Sequence, residues 1–478
     1  MLEKGKIKSA FKWQVLNISS QAILQFVFIM ISARILPKEV HGAFAILNAL
    51  VFVMTISSEG GVSSALIQRK IINKKHISIA FYLTVFISLF LFIIIYFSSD
   101  FISDFYDRKV KMKEIQLASL IFVIMAIGKV SEAFLIKEFR FKQLFISKNI
   151  SFIIGNILVV FVLANLNFGI YSLILGFITT QLITVLLYYY FSQHSFAFNW
   201  GKKEFNDLFY FGSSFTLLRV VNYLSSQADK LLIGKYFSVT SLSIYEKGQY
   251  ISKMPPKYVG NAIDAIMFSA FSKIENKKTK GEYFDIILAF VFLIGIYFGL
   301  LFYYNADLFV AVILGDNWSD AVPFLKILSL SIPAILLARI GDIIVRAENK
   351  MFKSLPIKVL FLLSIIISVL VFKDEQLIFV SALIVICYWI HGFLMYFLSM
   401  TIMKRNIIRG VLIFFLLIFI GFLIYLKFYF IELLINNNWY FLLINIIVDS
   451  IILSILLFVF KNNRFVIMFK NIFIKKIA

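Results

Sequence analysis

The sequence is short of charge, cysteine, histidine and proline. Only 15% of its 478 residues are Asp, Glu, Lys or Arg, against about 25% in soluble globular proteins. Apolar types make up 61%, against about 45–50%, and the mean hydropathy is +0.91. A soluble globular protein is thereby excluded. One cysteine, Cys387, lies in an apolar run and allows no internal disulfide. Four scattered histidines, His41, His76, His194 and His391, lack metal-ligand spacing, so neither a metal site nor a cofactor is expected. Long polar segments are missing too. At roughly 20 residues per span, fourteen spans consume about 280 residues and leave no room for a sizeable soluble domain.

What is present is a series of apolar runs between polar breaks. They predict spans near 11–35, 42–66, 78–98, 114–136, 144–165, 168–191, 207–234, 240–272, 283–304, 321–346, 354–372, 376–402, 409–430 and 438–460. The expected fold class is therefore all-α and integral to a membrane. The basic N-terminus is followed by no short apolar core with a small-residue cleavage site, so the first apolar run is expected to be a retained span. The net charge of +21 would point to nucleic acid in a soluble chain; here it reads as topology. The N-tail, the even-numbered loops and the C-tail hold 25 Lys and Arg, and the odd-numbered loops only 7. This bias predicts that both termini are cytoplasmic in a multi-pass protein. The longest odd loops, 99–113 and 305–320, are too short for a catalytic domain. The second of them carries Asp307, Asp316 and Asp320 without any Lys or Arg.

A weak internal repeat appears at an offset of 201. Ala33-Arg34 falls on Gly234-Lys235, Gly42 on Ser243 and Phe44 on Tyr245, while Ser32 against Ile233 is a mismatch. With the hydropathy pattern this predicts an N-lobe over 11–191, a C-lobe over 207–402, an added helix pair over 409–460 and a basic tail over 461–478. The two lobes would be parallel repeats about an axis along the membrane normal, surrounding a central cavity.

Ionisable groups at membrane depth are costly and tend to mark interior cavities. On the eighth span Glu246, Lys253, Lys257 and Asp264 recur at helical spacing and predict one polar stripe. Pro255-Pro256 at its middle predicts a kink and a hinge. On the tenth span Arg339, Asp342 and Arg346 share a face, and their mixed signs predict mutual pairing. Arg219, Asp229 and Lys230 lie on the seventh span, Glu59 on the second, and Lys129 with Glu132 on the fourth. That last pair would serve equally well to dock helices. Arg219, Lys253, Lys257 and Arg339 are the candidate substrate-binding cations, because Lys and Arg hold phosphate oxygens firmly where water is scarce. Glu59, Asp229, Glu246, Asp264 and Asp342 are the candidate ion-coupling or gating acids, for a proton or sodium gradient. The chemistry alone reaches a bulky anion, with lipid-linked pyrophosphates the best fit.

Ala33-Arg34-Ile35-Leu36-Pro37 followed by Gly42-Ala43-Phe44-Ala45 resembles the first-loop signature of bacterial polysaccharide exporters and O-antigen (Wzx-type) flippases. Asp229 to Tyr236 with Ser243-Ile244-Tyr245, and Phe268 to Ile274, resemble the seventh-span and eighth-span motifs of the same family. It belongs to the multidrug/oligosaccharidyl-lipid/polysaccharide (MOP) exporter superfamily. Two departures are the missing glycine near Ser243 and the acidic Glu246 where a small residue is common. The resemblance implies two six-helix lobes with an extra helix pair, and a non-enzymatic transporter in the bacterial cytoplasmic (inner) membrane. The implied activity is flipping of an undecaprenyl-pyrophosphate-linked oligosaccharide for O-antigen, capsule or exopolysaccharide assembly. The expected partners are that glycolipid, the bilayer, and a polysaccharide polymerase with its chain-length regulator; nucleic acid is not expected. Competing readings are a drug, peptidoglycan-precursor or teichuronic-precursor exporter, a membrane-embedded glycan polymerase or ligase, and a scaffold for assembly enzymes.

Overall fold

A computed structural model describes residues 4–59, 61–69, 72–193, 198–273, 277–405 and 425–426. Among these the chain is helical, with no strand. The predicted thirteenth and fourteenth spans and the basic tail lie outside the described residues, Tyr425 and Leu426 apart. Nine described helices are long and apolar enough to cross a membrane, and a bent pair adds a tenth candidate.

The chain divides into two compact units. The first takes Met1–Glu246 with the short pieces Ile313–Asn317 and Val369–Lys373. It begins with α1 (Lys4–Ile35) and α2 (Lys38–Glu59). The apolar run 42–66 predicts a single span, yet α2 stops at Glu59. Gly61 takes φ +66°, a left-handed conformation that glycine adopts without strain, and the short α3 (Val62–Gln68) starts anew. Then come α4 (Lys74–Phe97), α5 (Ser99–Phe105) and α6 (Met112–Lys137). α7 (Phe141–Phe152) runs through a π-helical stretch, Ile153–Val159, into α8 (Val160–Asn165). α9 (Ile170–Ser192) and α10 (Lys202–Tyr236) follow.

A core of Val62, Ala65, Ile79, Ala80, Val130 and Ala133 gathers α3, α4 and α6, and Leu208 brings the start of α10 into it. The division by compactness thus puts α10 in the first unit, whereas the sequence repeat predicts a second lobe from 207.

The second unit takes the end of α11 (Val239–Ser252) from Lys247 on, then α12 (Met254–Lys273), α13 (Lys277–Tyr304) and nearly all of α14 (Ala306–Ile313). α15 (Val322–Ser329), α16 (Ile332–Ala347), α17 (Leu355–Val371) and α18 (Leu377–Ile402) complete it. α16 is its centre, with Ile332, Ala334, Ile340, Ile343 and Ile344 fully buried. Small residues let the backbones approach there. A Cβ on Gly341 would lie 2.7 Å from the Met395 carbonyl, and one on Gly392 2.7 Å from the Ala334 carbonyl. The predicted tenth span is broken: α15 and α16 meet at 49° around Leu330-Ser331.

The helix ends obey the repeat. α1 ends at Ile35 and α10 at Tyr236, while α2 begins at Lys38 and α11 at Val239. Both pairs are separated by 201 residues, the offset found in the sequence.

Candidate functional site

Three polar assemblies emerge from the charged positions. The first is at the end of the first unit where α1 finishes. Glu39 accepts a hydrogen bond from Thr240 at 2.9 Å, and these two residues are themselves 201 apart. Where two repeats are related by a two-fold axis, equivalent residues meet near that axis. Gly42 approaches Val239 so closely that a Cβ would overlap the Val239 carbonyl oxygen. Beside them the 106–111 loop fastens the end of α10. The Lys109 ammonium donates to the carbonyls of Gly234, Lys235 and Phe237 at 3.1, 2.6 and 2.9 Å, and Lys235 pairs with Asp107 at 2.8 Å. Lys109 thereby satisfies helix-terminal carbonyls that have no intrahelical donor, and places a cation at the negative end of the dipole.

The Lys235 hydrogen bond holds the Asp107 carboxyl below its ordinary pKa. A depressed acid stabilises fully above its ordinary value and loses that contribution as pH falls through the depressed one. Label-to-label distances between this loop and α10 should therefore stay constant from about pH 8 to 5 and lengthen only below about pH 4.

The second assembly is in the second unit. Asp264 on α12 receives Arg339 at 3.0 Å and has Arg346 at 3.4 Å, both from α16. Arg339 also donates to Asn261 at 2.6 Å and to the Pro256 carbonyl at 3.3 Å. Asp342 pairs with the buried Lys358 of α17 at 2.8 Å. The predicted mutual pairing within α16 is thus corrected: a helix face aimed at two neighbours finds better-placed partners across than along itself. The predicted single stripe on the eighth span is likewise divided. Glu246 pairs with Lys230 at 3.4 Å, Lys253 lies 5.3 Å from the centre of the Tyr388 ring, and Lys257 5.6 Å from that of Tyr258. The helix is interrupted at Lys253, directly before Pro255-Pro256. Asp229 is fully buried, accepting from the Tyr245 hydroxyl at 2.8 Å and the Lys230 amide at 2.8 Å. Arg219 is half-buried on α10, and the side chain of Glu59, at the end of α2, lies outside the described part.

The third assembly lines a cavity of about 290 Å³ within the first unit, between α1, α6, α7 with its π-helical continuation, and α9. Glu132 stands there between Lys148 at 2.9 Å and Lys129 at 3.4 Å. Lys148, Gln21, Gln25 and Gln181 carry little signal in sequence, because single polar residues at helical spacing look like ordinary interruptions of a span. Lys109 left a clearer trace: four of the seven odd-loop cations fall in the 99–113 segment.

Residues 31–323, more than half of the chain, match the family described as "Polysaccharide biosynthesis protein". The chain belongs to this family. Teichuronic acid biosynthesis protein TuaB of Bacillus subtilis is 26% identical over 68% of this chain and 68% of its own. Lipopolysaccharide biosynthesis protein WzxC of Escherichia coli is 22% identical over 68% of this chain and 66% of its own. Among solved structures, the lipid II flippase MurJ in an inward closed conformation superposes with a TM-score of 0.74 at 16% identity, covering 95% of this chain and 99% of that one. The last similarity shows a MOP-type transporter fold. With its series of long apolar helices, the chain is a multi-pass membrane protein of the polysaccharide-biosynthesis family.

Proposed function

We propose that the protein flips an undecaprenyl-pyrophosphate-linked oligosaccharide across the bacterial cytoplasmic membrane by alternating access of two repeat lobes, both termini being cytoplasmic. The observation that carries this reading is the meeting of repeat-equivalent loops at Glu39 and Thr240. It closes one end of the symmetry axis and, given the charge bias of the loops, that end is the outer one. Closure at one end with rocking about the axis is what a two-lobed transporter needs. The substrate class is supported by the company the chain keeps: a lipid II flippase shares its fold and a teichuronic acid biosynthesis protein its sequence family. The mid-depth cations Arg219, Lys253 and Lys257 attract the pyrophosphate, since charge-assisted bonds to phosphate strengthen as water is excluded. The interruption at Lys253 beside Pro255-Pro256 provides the hinge. Asp229, with Glu59, Glu246, Asp264 and Asp342, supplies carboxylates through which a proton or sodium gradient drives the cycle.

The test is a knockout in which the lipid-linked repeat unit is located by leaflet. Complete units should accumulate in the cytoplasmic leaflet and be cleared by the wild-type gene. Replacing Arg219, Lys253 and Lys257 together by Gln should cut clearance about tenfold or more, equivalent to about 1.4 kcal/mol of lost binding, at unchanged protein level. Single units appearing outside but never polymerised would replace the flippase reading by that of a polymerase.

A further inference from the structure

The cavity inside the first unit has a chemistry of its own. Gln21 and Gln25 come from one face of α1, Lys129 and Glu132 from one face of α6, and Gln181, Thr184 and Tyr188 from one face of α9. Asn156 enters from the π-helical stretch, a geometry frequent at functional sites. The charges leave one net positive: two ammoniums hold a single carboxylate, with the Tyr188 hydroxyl 3.5 Å from it. Most telling is Gln21, whose side-chain Nε2 is buried and has no hydrogen-bond partner among the described residues. A buried donor without an acceptor costs about 1–3 kcal/mol, so it needs a reason to be there.

Four occupants can be compared on this lining. A metal cation would meet two ammoniums around the one carboxylate and be repelled. A lipid tail would leave the amides unsatisfied. An inorganic anion would accept from the lysines and the amide N–H groups but offers no hydroxyl to the amide carbonyls. A hydroxylated ring bearing a carboxylate uses both sets. Each Gln or Asn amide offers a donor and an acceptor, which is what neighbouring ring hydroxyls require, and the surplus ammonium charge takes the carboxylate. At about 290 Å³ the space is at the lower limit of small-molecule sites, about 300–1,000 Å³. It holds a piece of an oligosaccharide, not a whole repeat unit.

We propose that the cavity between α1, α6, α7 and α9 is a subsite for an acidic sugar residue, of the hexuronate class, in the transported glycan. The proposal rests on the flippase reading, and assigns to the first unit the recognition of the sugar while the mid-depth cations recognise the pyrophosphate.

The experiment measures binding, not transport. The full-length protein in lipid nanodiscs is titrated with methyl glucuronide and with methyl glucoside, read by saturation-transfer NMR. The acidic glycoside should bind at least about fivefold more tightly than the neutral one, a difference of about 1 kcal/mol. Gln21→Met, which removes a donor that no protein group uses, should weaken binding of methyl glucuronide about tenfold while leaving thermal stability unchanged or higher. Replacing Lys129, Glu132 and Lys148 together by Met should erase the preference for the acid. Equal binding of the two glycosides overturns the proposal. So does a Gln21→Met variant that binds as wild type, or displacement of the glucuronide by equimolar inorganic phosphate, which would reveal a plain anion site. Loss of glycoside binding alongside normal export of repeat units would reject the subsite and leave the flippase reading standing.

Discussion

Gly42→Val should abolish export while the protein still inserts and folds. The Cβ of any other residue at position 42 overlaps the Val239 carbonyl oxygen, a backbone atom that cannot turn aside as a side chain would. Overpacking of this kind costs about 1–3 kcal/mol. The cost falls only on the closed arrangement of the two loops, because separated loops leave room for the valine. A bias of that size shifts a two-state equilibrium by about 5–150-fold toward the open form. Complete lipid-linked units should then remain in the cytoplasmic leaflet as in the knockout. A cysteine at Thr240, half-buried where its side chain meets Glu39, should react faster with an impermeant thiol reagent from outside than the same cysteine without the valine. Normal export by Gly42→Val would show that this contact is not part of the cycle.

The second large effect is expected at Asp264. Its carboxylate lies between Arg339 and Arg346, and Asp264→Ala would leave two guanidiniums facing each other without a counter-charge. Breaking a buried pair typically costs about 3–5 kcal/mol. The lower end applies here, since Asp264 and Arg339 keep 28% and 27% of their side-chain surface exposed and Arg346 41%. The purified variant should unfold at a clearly lower temperature in detergent. Replacing all three residues by Leu, Met and Met should restore that temperature, because well-packed apolar groups substitute for buried ion pairs without loss. Export by the restored protein separates two roles: recovery assigns the cluster to architecture, and continued failure assigns it to the transport cycle.

The hydropathy pattern made the helices legible because a bilayer admits little else: a spanning backbone must satisfy its own hydrogen bonds. The first twelve predicted spans all fall on described helix, but 42–66, 240–272 and 321–346 are each broken into two helices. The breaks were harder to see. Ser57-Ser58-Glu59-Gly60-Gly61 dips in hydropathy too briefly to separate two spans, and the corner at Leu330-Ser331 has no glycine or charge to mark it. The repeat was faint in identity but sound in register, since helix ends are set by backbone geometry that many side chains can satisfy. For the candidate sites, ionisable residues alone single out Lys129 and Glu132, a pair that docking and binding explain equally well. Gln21, Gln25 and Gln181 do not stand out because amides carry no charge. Their convergence depends on how four helices face one another, which spacing along one helix does not encode.

The corner between α15 and α16 has one more consequence. The Trp389 indole of α18 donates to the Leu330 carbonyl at 3.1 Å, and the Ser331 hydroxyl to that of Leu328 at 2.6 Å. A broken helix in hydrocarbon exposes acceptors that no water will reach, and each one left bare costs several kcal/mol. Here the acceptors are already taken, one of them by a neighbouring helix. Withdrawing the indole would strand the Leu330 carbonyl, so α18 and the corner move as a single piece. What looks like a weak point in the rod is a riveted joint.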